Sequence, residues 1–169
     1  MRLTTLAHQV LAAATPAGAC AVDATAGNGH DTVFLAQTVG VNGQVLAIDR
    51  QADAIAATNK AIAAARIDAS VTTVVADHRD LATLMDAHCT LAPTAIMFNL
   101  GYLPGSDKTL TTSADTTLPA LDAALARLSA DAGVLSVMTY RAHPGGLAEH
   151  AAVLAWRDSL PREYFRIYE

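Results

Sequence analysis

With 169 residues, 52% of them hydrophobic and 16% charged, the chain has the composition of one globular domain and not of a disordered or low-complexity segment. No run approaches the ~20 uninterrupted apolar residues of a membrane span. The formal net charge of -5 weighs against broad, non-specific nucleic-acid binding, which relies on lysine and arginine to neutralise phosphates.

The opening stretch, "MRLTTLAHQVLAAATPAGA", has the basic start and small residues of a signal peptide, but His8 and Gln9 interrupt its apolar run. It is read as a first helix packed on the domain. "ACAVDA" (19–24) is a short apolar strand ending in an aspartate, and "HDTVFLAQTV" (30–39) has helical spacing. "GQVLAIDR" (43–50) reads as a second strand, and "QADAIAATNKAIAAARI" (51–67) as a helix of strong formers. "SVTTVVADHRD" (70–80) is a third strand with a polar end, and "PTAIMFNLGYLPG" (93–105) a fourth that breaks into a Gly/Pro turn. "SADTTLPALDAALARLSADAG" (113–133) is expected to be a helix capped by Ser113 or Asp115 and closed at Gly133. "VLSVMTYRAHPGG" (134–146) is a fifth strand, a helix follows near 147–158, and "REYFRIYE" reads as the start of a sixth strand.

Apolar strands separated by helices imply an α/β fold: a doubly wound, mostly parallel sheet covered on both faces, in a single domain over residues 1–169. Such sheets bind ligands beyond the carboxyl ends of their strands. The polar clusters Asp23–Asp31, Asp49–Gln51, Asp77–Asp80, Asn99–Lys108 and Tyr140–Gly146 are all expected at that one end. Cys20 and Cys89 have no CxxC spacing and apolar surroundings, which fits a reducing, cytoplasmic setting without structural zinc.

The segment "VDATAGNGHDTVFLA" (22–36) carries the chemistry. Gly27 and Gly29 allow close backbone approach, and the helix that follows offers free N–H groups. Asp49 lies twenty residues after Gly29 at a strand tip, where a carboxylate accepts both hydroxyls of a ribose. These features specify a nucleoside-containing cofactor. A dinucleotide loop calls for G-x-G-x-x-G, whereas "AGNGHD" lacks the third glycine and is flanked by the acids Asp23 and Asp31. Carboxylates repel a pyrophosphate and attract a cationic amino ligand, which favours S-adenosylmethionine over NAD. Asp77 and His78, at the third strand tip, are then positioned for the adenine edge.

"DATAGNGHDT", "NLGYLPGSDK", "TTLPALDAAL" and "HPGG", in this order and over nearly the whole chain, resemble a bacterial family once labelled ribosomal-RNA methylases. Its characterised, MnmM-type members methylate 5-aminomethyl-2-thiouridine at the wobble position of transfer RNA. The resemblance implies a Rossmann-like class I methyltransferase that uses S-adenosylmethionine and meets the anticodon region of transfer RNA. Its cofactor pocket would comprise Asp23, Ala26, Gly27, Asn28, Gly29, His30, Asp31, Asp49, Gln51, Asp77, His78 and Asn99.

At the fourth strand end, Asn99-Leu100-Gly101-Tyr102 occupies the place where amino-methylating enzymes carry an Asn/Asp-Pro-Pro-aromatic stretch, here without the prolines. Asn99 is expected to accept a hydrogen bond from the target amine, so that its lone pair points at the methyl group. Tyr102 is expected to stack on the uracil, and His143 to line the acceptor pocket or relay a proton. Asp107 and Lys108 are candidates for the substrate loop, and Arg141 and Arg79 for phosphate contacts. His8, His88 and His150 have no partner at ligand spacing and are read as structural or exposed, and no pattern indicates a metal.

Family members continue through the remainder of the last strand, a loop and a final antiparallel strand, so the C-terminal strand is expected to be missing here. That exposes a sheet edge, which leaves three expectations: the edge pairs with another copy in a homodimer, stability suffers, or the chain is a truncated form. Four other functions compete with the wobble-uridine reading: methylation of ribosomal RNA, methylation of a small amine, cofactor binding without activity, and, last, an NAD-linked oxidoreduction.

Overall fold

The computed structural model describes residues 3–101 and 111–168. Five strands, β1 (Cys20–Asp23), β2 (Gln44–Asp49), β3 (Ser70–Val75), β4 (Ala95–Leu100) and β5 (Val134–Thr139), form one sheet in the order β3-β2-β1-β4-β5. Every pairing is parallel, with Asp23 opposite Ala47, Asp49 opposite Val75 and Asn99 opposite Met138. Parallel neighbours need crossovers, and helices supply them. These are α1 (Leu3–Ala14), α2 (His30–Val39), α3 (Ala52–Ala65), α4 (Leu81–His88), α5 (Ala114–Arg127) and α6 (Gly146–Ser159).

Alternation along the strands divides the core in two. Val22, Leu46, Ile48, Ile96 and Phe98 face Leu81 and Met85 of α4, Leu121 of α5 and Val153 of α6. Ala21, Val45, Ala95 and Met97 face Leu11 of α1 and Leu35 and Val39 of α2. The sheet is thus doubly wound, as the alternation of apolar runs and helical segments predicts. After β3 the chain returns past β1 to add β4, so the segments leaving β1 and β4 part from one another at the centre of the sheet. This switch point opens the crevice that holds the site.

The boundaries depart from the sequence-based reading where side chains intervene. β3 ends at Val75, not at residue 80, because the Asp77 carboxylate accepts the Arg79 N–H at 3.0 Å and winds His78–Asp80 into one turn of 3-10 helix. That turn leads into α4, an eight-residue helix that sequence reading passed over. The helix expected to close at Gly133 stops at Leu128, which turns extended while the Ser129 N–H bonds the Pro93 carbonyl at 2.8 Å. Ser113 occupies the cap position of α5 through its carbonyl, which accepts the Thr116 and Thr117 N–H groups, and not through its side chain.

The sixth strand is not formed in the described residues. Pro161 instead starts a turn whose carbonyl takes the Tyr164 and Phe165 N–H groups, and β5 has β4 as its strand neighbour. A strand exists only through its ladder, and here the amides that would begin one are already spent.

Candidate active site

A cavity of about 660 Å³ lies over the carboxyl ends of β1, β2 and β4. Its floor is the glycine loop. The Ala26 N–H bonds the Ile48 carbonyl at 2.9 Å, which draws the loop across from β1 to β2. Gly27 and Gly29 both take positive φ, 54° and 81°. At Gly29 a Cβ would stand 2.8 Å from the Thr58 Cα of α3, so this glycine is required by close packing as well as by conformation. Gly29 does not line the cavity; it lets the loop lie low enough for its neighbours to do so.

Asp49 organises the second strand tip. Its carboxylate accepts the Gly27 N–H at 3.0 Å and the Gln51 N–H at 2.9 Å, tying the loop to β2. Each carboxylate oxygen keeps accepting capacity, and Asp49 lines the cavity beside Gln51 and Arg50. Ala26, Gly27, Asn28, His30, Asp31, His78 and Asn99 share that wall, as expected from the sequence. His78 is buried, and burial lowers its pKa, so it stands as a neutral imidazole with Nε2 3.2 Å from Thr116 Oγ1 and its ring edge-on to Phe98.

Two expected cofactor residues stand off the cavity wall. Asp23 is wholly buried beneath the loop, where it accepts the Thr32 hydroxyl at 2.6 Å and the Thr25 N–H at 3.2 Å. Burial pushes its pKa up to about 7 against the opposing effect of the Thr32 bond, and Asp31 and Asp49 add to the rise. Asp77 is spent on the turn after β3. Neither lines the cavity, although each makes the same bond to the amide two residues on that Asp49 makes.

Of the expected acceptor residues, Asn99 is in the wall and fixed. Its backbone N–H donates to Thr25 Oγ1 at 2.7 Å, and its side-chain Nδ2 donates to Asp31 Oδ2. Its Oδ1 is buried and has no hydrogen-bond partner among the described residues. Tyr102, Asp107 and Lys108 lie outside the described residues. His143 is buried off the cavity, with Nδ1 3.0 Å from the Pro144 carbonyl oxygen and its ring against Gly146. It packs the turn into α6 and is not among the described residues that line the cavity. Arg141 and Arg79 are exposed; Tyr140 and Ala142, the neighbours of Arg141, do reach the wall.

Sequence reading missed His8. Its Nε2 is 2.6 Å from Asp31 Oδ1, and its ring stacks on Phe34 at 3.8 Å with an interplanar angle of 1°. The available signal was Thr4 and His8, polar residues one helical turn apart on one face of α1; both line the cavity. Glu149 of α6 was missed too. Only 2% exposed, it accepts the hydroxyls of Thr112 and Thr117 at 2.6 Å each. Thr112 in turn bonds the Gly101 carbonyl through its N–H at 3.0 Å, so the chain on either side of residues 102–110 is pinned together at the cavity.

A family model described as "Putative rRNA methylase" matches residues 45–169, most of the chain. The chain belongs to this family. Solved structures agree with the rRNA methylase assignment. A Clostridium thermocellum protein described as a "putative rRNA-methylase" is 34% identical, with a TM-score of 0.89 over 96% of this chain and 85% of that one. A Streptococcus mutans "putative methyltransferase", solved in complex with SAH, is 32% identical with a TM-score of 0.85, covering 99% of this chain and 88% of that one. The architecture is accordingly the Rossmann-like fold of class I methyltransferases. An Arabidopsis thaliana protein named "tRNA (mnm(5)s(2)U34)-methyltransferase, chloroplastic" is 35% identical over 168 residues, 95% of this chain. The chain spans 60% of that plant protein's length.

Proposed function

We propose that the chain is an S-adenosylmethionine-dependent N-methyltransferase that converts 5-aminomethyl-2-thiouridine to 5-methylaminomethyl-2-thiouridine at the wobble position of transfer RNA. The observation that carries this reading is the Asn99 amide: clamped through Nδ2, it lines the cavity with a buried Oδ1 that lacks a partner among the described residues. An unpaired buried acceptor costs roughly 1–3 kcal/mol, and an amine N–H would satisfy it.

The residues present fit the cofactor. Asp49 has accepting capacity left for a ribose diol, the wall is acidic where an amino-acid ammonium would lie, and the glycine loop gives close backbone access. When bound, S-adenosylmethionine supplies an electrophilic methyl group. Asp49 and Gln51 would hold its ribose side, the Ala26–His30 loop its amino-acid side, and neutral His78 would border the adenine. Asp31 and Asn99 surround the acceptor with hydrogen-bond acceptors. Asn99 Oδ1 takes one N–H of the neutral amine and so aims its lone pair into the cavity.

Transfer RNA as substrate is supported by the name of the plant relative, and exposed Arg50, Arg79 and Arg141 are the cations near the cavity mouth for its phosphates. Tyr102, Asp107 and Lys108 remain assigned to the uridine and its loop, and a cytoplasmic location belongs to the same reading. So does a homodimer paired along the outer edge of β5, which light scattering of the purified chain tests. The formal charge of -5 favours a second reading, a small-amine acceptor.

The decisive experiment incubates the protein and S-adenosylmethionine with transfer RNA from cells lacking their wobble methyltransferase, followed by nucleoside mass spectrometry. Appearance of the methylamino nucleoside supports the proposal. Cofactor binding by calorimetry without that product would refute the transfer-RNA substrate, and turnover of small amines unaffected by competing RNA would establish the second reading.

A further inference from the structure

We propose that His8, on α1, is a positioning residue for the methyl acceptor: it clamps Asp31, and Asp31 holds the Asn99 amide in the orientation that leaves Oδ1 to receive the amine. The inference rests on the methyl-transfer reading above and deepens it.

The orientation follows from which atoms can donate. An ionised carboxylate only accepts, so the Asn99 group facing Asp31 Oδ2 must be its NH₂; the flipped amide would set two acceptor oxygens against each other. The oxygen is then the end left over, buried and without a partner among the described residues, in a side chain that lines the cavity. A carboxylate held on one oxygen alone can still swing about its χ angles. His8 removes that freedom: its Nε2–H donates to the other oxygen, Asp31 Oδ1, at 2.6 Å. This contact also places a proton on Nε2, since a carboxylate cannot donate to the ring.

His8 is itself immobilised, and not by solvent. Its ring lies flat on Phe34, one turn along α2 from Asp31, at 3.8 Å. The clamp therefore depends on α1 packing against α2, and the Asn99 main chain is held independently by Thr25. Three segments far apart in sequence, α1, the start of α2 and the end of β4, converge on one amide. This gives the first helix a role in the site beyond covering the sheet.

The test uses the full chain with His8→Ala and His8→Gln. The glutamine amide nitrogen can stand where Nε2 stands and donate to Asp31, but it does not titrate. For His8→Ala the expected result is a fall in kcat on the wobble-uridine transfer RNA of about 10- to 100-fold, the scale of a misplaced reacting group. Affinity for S-adenosylhomocysteine by calorimetry should stay within about threefold, and His8→Gln should recover most of the rate. In parallel, the Asn99 side-chain amide resonances, identified by their loss in Asn99→Ala, should shift in His8→Ala and return in His8→Gln. That readout needs no turnover. If the wild-type protein failed to methylate the RNA, the methyl-transfer reading would fall while the resonances still decided whether the clamp exists. Unmoved Asn99 resonances in His8→Ala overturn the proposal, as does a His8→Gln variant no better than His8→Ala.

Discussion

Asp23 is a carboxylate buried completely under the glycine loop, and its charge state should be visible in the stability of the whole domain. In the native state burial pushes its pKa up to about 7, against an ordinary value of 3.8 in the unfolded chain. Below pH ~4 both states hold the proton, and Asp23 contributes nothing to the pH dependence. Between about pH 4 and 7 the unfolded chain releases the proton and the native state keeps it, so stability falls as pH rises, by ~1.4 kcal/mol per pH unit. Above pH ~7 both states are ionised and the loss levels off. Three pH units at that slope give a total on the order of 4 kcal/mol.

Asp23→Asn isolates this contribution. The amide is neutral at every pH, its oxygen can accept the Thr25 N–H, and its nitrogen can donate to the Thr32 hydroxyl, so the present contacts have counterparts. Urea denaturation of both proteins from pH 5 to 8.5 should give a stability difference that grows with pH in favour of the variant and becomes constant past pH ~7. A difference that is the same at all pH values would refute the buried-acid account. The same variant tests the inward orientation of Asp23. Its affinity for S-adenosylhomocysteine should match wild type within about threefold, and a loss of tenfold or more would put the carboxylate back on the cofactor.

Asp49→Ala should weaken S-adenosylhomocysteine binding by ~1–3 kcal/mol, because it removes the ribose acceptor together with the tether on Gly27; calorimetry giving unchanged affinity would sink that assignment. Asn99→Ala should lower turnover well beyond its small effect on cofactor affinity, and normal kcat would remove Asn99 from catalysis. Gly29→Ala and Gly145→Ala form an internal comparison, since both glycines have φ 81° but only Gly29 would drive a Cβ to 2.8 Å from a backbone atom. Denaturant titration should find about 1 kcal/mol lost at Gly145 and at least twice that at Gly29, and equal losses would show that α3 does not press on the loop.

The fold and the location of the site were legible from the chain because both rest on short-range order. Apolar runs alternating with helical spacing are enough to specify a parallel, doubly wound sheet, and the strand–"AGNG"–helix succession places its own glycines. Asp49 sits at the tip of β2 because strand length and alternation put it there. The direction in which a side chain points at a strand end is another matter. Asp23, Asp49 and Asp77 occupy the same kind of position and each accepts the amide two residues on, yet Asp49 alone of the three lines the cavity, tied there by the Gly27 amide, while Asp23 is buried against the Thr32 hydroxyl.

Distance along the chain accounts for the remainder. α4, eight residues without a strong cap, is held by Leu81 and Met85 in the core under β4 and α5 more than by its own propensity. "REYFRIYE" has strand-like composition, but the Tyr164 and Phe165 amides that would begin a ladder go to the Pro161 carbonyl instead. His8 and Asp31 are separated by 23 residues, and Asp31 and Asn99 by 68; Glu149 meets Thr112 across 37. The sequence by itself determined which residue types stand at each strand tip. Only the tertiary structure decided which of them face the cavity, because orientation there is settled by hydrogen-bond partners that the fold brings from elsewhere in the chain.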